Sequence, residues 1–197
     1  GIVSPKKILT NARAKPGDVL VLTKPLGTGI ATSGIKGGLT SRKLAAAVIK
    51  LMSCLNAVGA ELAERGLVRA AIDITGFGLL GHLASMCRAS GVSAEILPND
   101  VPVISEEIFT LIERDCVPGG TEQNLQTARA VTEWGTTNRR QKLLLTDAQT
   151  SGGLLLAVSP RRLEAVLALL SKRRTPCRAV IGKILSKCEP LISVTTR

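Results

Sequence analysis

The strongest constraint on this chain is an alternation of short apolar runs of strand length with longer segments of helical period. Glycine or proline closes most of them. The runs at 19–22, 68–74, 93–97, 142–145, 154–158, 179–185 and 191–194 read as strands. Between them, Leu44, Val48, Leu51, Leu55, Val58 and Leu62 step by four and three, the spacing of one buried helical face. That predicts one long helix with Thr40 or Ser41 as cap and Gly66 as stop. Shorter helices are expected at 79–89, ended by Gly91, and at 105–114, capped by Ser105 with Glu106 and Glu107 in the first turn. Two more are expected at 122–133 and from Pro160 to residue 170. A Gly/Ser/Thr-rich loop fills 24–38. Strict βαβ alternation breaks twice, once at two successive helices and once at two adjacent strands. The expected fold is therefore α+β, a layered mixed β-sheet with packed α-helices. Residues 1–16 read as a lead-in, and 17–197 as the α+β domain.

Tyr is absent and there are two Phe and one Trp, so Leu, Val, Ile and Ala must carry the core. At 45% hydrophobic residues there is enough of them to close it without disulfides or metals. No segment approaches the unbroken run of about 20 apolar residues that a membrane span needs. The start, Gly1-Ile2-Val3-Ser4-Pro5, has no signal core, which predicts a cytoplasmic protein; without an initiator Met it also reads as an excised piece. Cys54, Cys87, Cys116, Cys177 and Cys188 form no CxxC, and His82 is the one histidine. Structural zinc is not expected, and the cysteines read as free thiols. No local signature supports a Cys–His nucleophile pair. The net charge of +11 is uneven: residues 139–197 hold 12 basic and 3 acidic side chains. Such a surface fits nucleic acid, the phosphates of a nucleotide, an acidic partner domain or plain solvent. The scarcity of aromatics argues against single-strand binding.

Three glycine-rich stretches carry candidate chemistry. In the first, 71–82, Asp73 ends a strand, and Thr75-Gly76 turn into a helix N-terminus whose N–H groups can receive phosphate. Asp73 offers a hard oxygen ligand for Mg²⁺; the bland alternative is a turn cap among packing glycines. The same stretch holds a GxGxxG at Gly76, Gly78 and Gly81, with Glu95 as the acid of a dinucleotide fingerprint. In the second, Gly119, Gly120 and Thr121 form an anion nest or a plain capped loop. The third, 146–153, is a tight hairpin or a packing surface for a ligand-bearing neighbour.

Taken in order, 15–18, Leu22-Thr23-Lys24-Pro25-Leu26-Gly27-Thr28-Gly29-Ile30, Asp73-Ile74-Thr75-Gly76-Phe77-Gly78-Leu79-Leu80-Gly81-His82, 118–121 and Gln149-Thr150-Ser151-Gly152-Gly153-Leu154-Leu155 resemble the selenophosphate synthetases. The resemblance spans nearly the whole chain. It implies the C-terminal domain of an enzyme in the aminoimidazole ribonucleotide synthetase superfamily. Such an enzyme turns ATP, selenide and water into selenophosphate, AMP and phosphate, with Mg²⁺ spanning the phosphate chain. It implies a homodimer whose N-terminal domain, expected before residue 1, holds the reactive Cys or selenocysteine, the essential Lys and the other metal aspartates. Asp73 falls on the family's C-terminal metal-binding aspartate. Thr75, Gly76, Gly119, Gly120 and Thr121 are the expected phosphate neighbours, and no catalytic residue is expected in this chain, which alone should be inactive. Ile72 stands where the family often has Thr, and Gln123 where Arg is frequent. The alternative reading is a nucleic-acid or dinucleotide-binding module using the basic last third or the GxGxxG.

Overall fold

The computed structural model describes residues 4–196; the first three residues of the expected lead-in and Arg197 lie outside them. Among the described residues the strands are β1 (Val19–Leu22), β2 (Ala70–Asp73), β3 (Ser93–Ile96), β4 (Thr132–Glu133), β5 (Leu154–Val158), β6 (Ala179–Leu185) and β7 (Ile192–Val194). They form one sheet in the order β2-β5-β1-β6-β3-β7-β4. Pairing is antiparallel from β2 through β3 and parallel from β3 through β7 to β4, so the sheet is mixed as expected.

The central strands read as unbroken apolar runs because both faces of the sheet are covered. Side chains of a strand alternate between faces. Leu20 and Leu22 of β1, with Leu155 and Ala157 of β5, therefore enter one core, and Val21, Leu156 and Val158 enter a second. The first core receives α1 (Thr28–Lys36), α2 (Arg42–Ser53), α4 (Gly78–Ser90), α5 (Glu107–Glu113) and α7 (Arg139–Thr146), with α6 (Gly119–Arg129) packed beside α4 and α7. The second receives α3 (Val58–Glu64) and α8 (Leu163–Lys172). Before β1, the Ala71 N–H of β2 donates to Thr10 O (3.0 Å).

Four expectations need correction. The long helix is two. Ser41 does cap it, accepting from Leu44 N–H at 3.1 Å, but residues 54–57 separate α2 from α3. Leu44 and Val48 enter the first core while Val58 and Leu62 enter the second, so one periodic stripe serves opposite faces of the sheet. Leu55, counted in the stripe, is 83% exposed at the break. Taken as one piece, Arg42–Glu64 does have the length and apolarity of a membrane span, which the sequence reading missed; its buried stripe is shared between the two cores. Second, 142–145 is not a strand but part of α7. Asn138 and Gln141 form a reciprocal capping box there, satisfying both their backbones in a helical start. Third, 24–38 is not all loop, since it contains α1. Fourth, 146–153 joins a helix to a strand and so is no β-hairpin.

Candidate functional site

β2 ends at Asp73, which is exposed. The chain then turns through Thr75-Gly76-Phe77 into α4. Thr75 O accepts from Gly78 N–H (3.0 Å) and from Gln149 N–H (3.1 Å), which fixes the turn. Thr75 N–H donates to His82 Nε2 at 3.0 Å. An acceptor at Nε2 puts the neutral ring's proton on Nδ1. Burial holds the His82 pKa below its ordinary value, against the opposing pull of the Asp73 charge. Phe77 stands edge-on to the imidazole, centroids 5.8 Å apart, and is itself 68% exposed. Among the described residues the N–H groups of Gly76 and Phe77 have no acceptor. They sit at the start of a thirteen-residue helix, where the dipole favours an anion. A Cβ on Gly76 would meet nothing within 4 Å. The glycine therefore leaves open space in front of the turn.

Gly119 and Gly120 open α6 and are exposed, again with N–H groups lacking a partner among the described residues. Asn124 ties this helix to the turn, donating to Gly76 O (2.7 Å) and Thr146 O (3.1 Å). The structure thus brings Thr75, Gly76 and the α6 start to one shared support, residues 146–149. Thr121 is different. It is fully buried, donates to Asp147 Oδ1 (3.0 Å) and accepts from Ala148 N–H (3.0 Å). Its hydroxyl is spent inside the protein.

That support is a buried polar knot, which the sequence reading missed as such. Asp147 is fully buried, and its oxygens accept from Gly29 N–H, Ile30 N–H, the Thr121 hydroxyl and the Gln149 amide at 2.8–3.1 Å. Gln149 Oε1 accepts from Gly27 N–H, Thr28 N–H and the Thr28 hydroxyl at 3.1–3.3 Å. Together they satisfy the orphan N–H groups of α1, so that helix N-terminus is closed to any ligand. Burial raises the Asp147 pKa to about 6; the bonds from Thr121, Gln149, Ile30 and Gly29 oppose the rise. Alongside, Lys24, 1% exposed, sends its ammonium to Leu51 O (3.2 Å), Cys54 O (2.6 Å) and Ser151 O (2.8 Å). Burial lowers its pKa, with Cys54 acting the other way. This lysine caps the C-terminal end of α2 and so fixes the break between α2 and α3. A polar residue inside an apolar strand-and-turn context, Lys24 after Val19–Leu22, was the one available signal.

All five cysteines are free. Burial pushes the Cys87 and Cys177 thiols up to about 12, which keeps them protonated and poor nucleophiles. Among the described residues no group of three His, Cys, Asp or Glu could hold a metal ion. The GxGxxG has other uses. A Cβ on Gly78 (φ +68°) would lie 2.6 Å from Thr146 O, and one on Gly81 2.9 Å from Phe77 Cβ. β5, β1 and β6 separate β2 from β3, so no adjacent βαβ unit exists for a dinucleotide. Glu95 pairs instead with Lys183 (2.9 Å) and the Thr195 hydroxyl (3.0 Å). The basic runs fall on α7 and at the end of α8, where Arg140 pairs with Glu113 and Arg173 with Glu61.

Residues 15–192 match the family described as AIR synthase related protein, C-terminal domain. The selenide, water dikinase of Pelobacter propionicus is 41% identical over 192 residues, covering 97% of this chain and 54% of that protein. The chain thus spans about half the length of the curated relatives it matches. Among solved structures, the thiamine-monophosphate kinase of Stenotrophomonas maltophilia is similar at a TM-score of 0.69 and 17% identity, over 99% of this chain and 55% of that one. The hydrogenase maturation protein HypE in complex with ATP is similar at 0.69 and 20%, over 95% and 50%. At those identities the solved structures share the fold alone.

Proposed function

The chain belongs to the family of AIR synthase related protein C-terminal domains, and from that premise we propose that it acts as the C-terminal half of a selenide, water dikinase. The overall reaction would use ATP, selenide and water to give selenophosphate, AMP and phosphate. The observation that carries this reading is the exposed turn after β2. There an exposed carboxylate, Asp73, is followed in the same turn by two N–H groups with no acceptor among the described residues and by the open space in front of Gly76. The likeness to relatives named for that activity supports the choice of substrate.

In this reading Asp73 would hold a divalent cation, Mg²⁺, which supplies positive charge against the polyphosphate. Gly76 and Phe77 N–H groups receive a phosphate oxygen, and Gly119 and Gly120 supply a second such edge. Thr75 and Thr121 work through position: Thr75 is pinned by His82 and Gln149, and Thr121 links α6 to Asp147. Phosphoryl transfer depends mainly on such placement and charge. An N-terminal half of the same enzyme would bring the remaining metal ligands and the reacting groups, in a homodimer.

The test mixes this chain with the N-terminal half of a selenide, water dikinase and follows selenophosphate by phosphorus NMR. Activity should arise only on mixing. In Asp73→Ala it should drop at least about a hundredfold, the scale of losing one charge-stabilising group. Mixing that gives activity indifferent to Asp73→Ala would remove the metal role while keeping the family's reaction. ATP cleavage by the lone wild-type chain at a rate matching the mixture would overturn the division of labour.

A further inference from the structure

A second site stands apart from Asp73, beyond the opposite end of the sheet order. β2 and β4 are the two edges of the sheet. Beside β4 lies a cavity of about 300 Å³ lined by Leu125, Arg129, Trp134, Arg139 and Lys142. We propose that it binds the phosphate group of a small phosphorylated ligand.

Three observations carry this. The lining holds three cations and no carboxylate, and among the described residues none of the three has an acidic partner. Their neighbour Arg140 does, pairing with Glu113 at 3.0 Å and lying over the Phe109 ring. Arg139 and Lys142 are three apart on α7, so they share one face of the helix. Both stand at the helix start, where the dipole disfavours positive charge and acids normally gather; α7 has no acid in its first turn. Helix stability does not account for two cations without a carboxylate partner there, whereas a bound oxyanion does. Finally, Trp134 forms one wall of the cavity, and Lys142 lies over its ring at 5.4 Å. Phosphate oxygens are acceptors for the two guanidinium groups and the ammonium. The volume is at the small end of ligand sites, which suits inorganic phosphate or a small monoester better than a dinucleotide.

Trp134 is the one tryptophan of the chain, so its fluorescence reports on this wall directly. Inorganic phosphate, and separately AMP, titrated at fixed ionic strength should each give a saturable change that chloride does not. Arg129→Ala and Arg139→Ala should each weaken binding about tenfold, while Asp73→Ala and Arg161→Ala leave it unaltered. Circular dichroism of each variant separates lost binding from lost folding. Equal binding of phosphate and AMP would identify the phosphate group as the part recognised, and tighter AMP a monoester site. No saturable change in the wild type, or equal affinity in folded Arg129→Ala and Arg139→Ala, would overturn the proposal. Neither outcome bears on the dikinase reading, whose residues are elsewhere.

Discussion

Two glycine-rich regions of this molecule look alike as text and do opposite things. In the knot formed by Gly27–Ile30 and 146–153, glycines are demanded by neighbours. A Cβ on Gly29 would lie 2.2 Å from Ala148 O, one on Gly152 2.2 Å from Ile74 O, and one on Gly153 2.5 Å from Lys24 N. In the exposed turn, a Cβ on Gly76 or Gly119 would meet nothing within 4 Å. Neither of those two has the positive φ that favours glycine. The first region is filled by the protein itself. The second is kept clear, and its N–H groups are left unanswered. Glycine recurrence alone cannot separate architecture from reception; what surrounds the missing Cβ can.

The comparison can be attacked where it should yield most. Asp147→Ala strips acceptors from two backbone N–H groups, a hydroxyl and an amide, all buried. It should cost about 3 kcal/mol in urea unfolding, at the upper end for stranded buried donors. Gly152→Ala forces backbone apart and should cost about 2 kcal/mol. Gly76→Ala should fall within about 0.5 kcal/mol of wild type. In the mixed-halves assay it should nonetheless lower activity by at least about tenfold, because the methyl fills the space a phosphate needs. A Gly76→Ala that destabilises as much as Gly152→Ala would erase the distinction between the regions.

The smallest effect concerns pH. The folded-state pKa of His82 is depressed, so the unfolded chain binds that proton more readily. Its contribution is intact above about pH 6.5 and is lost as pH falls from there toward the lower folded value. Asp147 runs the other way. Its folded pKa of about 6 exceeds the ordinary value of 3.8, so its contribution is present at low pH and lost as pH rises through 6. The two oppose each other in the mildly acid range. His82→Gln keeps an acceptor for Thr75 N–H but cannot titrate. Between pH 7 and pH 5 the variant should lose less stability than wild type, by urea unfolding. An equal loss would take His82 out of the pH response.

Much of the architecture was legible because period and run length survive in the sequence. The strands at 19–22, 154–158 and 179–185, the Ser41 cap and the Gly91 stop are local signals. The failures were of longer range. Leu55 keeps the helical spacing, yet the chain breaks there because an ammonium 30 residues away in sequence answers the Cys54 carbonyl. The apolar Leu143–Leu145 run fits strand or helix, and the Asn138–Gln141 capping box decides it. Asp73, Thr75 and Gly76 could be singled out from a strand-turn-helix pattern. Asp147 could not be, since an acid becomes a helix-capping group only when α1, itself unread, is folded against it.

Strand order also bears on how the chain is made. Among the described residues β1 pairs only with β5 and β6, both of which lie far downstream of it in sequence. At about 5–20 residues per second, β6 follows β1 by roughly 10–30 s. One backbone edge of this apolar strand waits for β5 and the other for β6. The centre of the sheet therefore assembles only once residues 154–158 and then 179–185 have emerged, and shielding of 19–22 by a chaperone would matter most before residues 154–158 do.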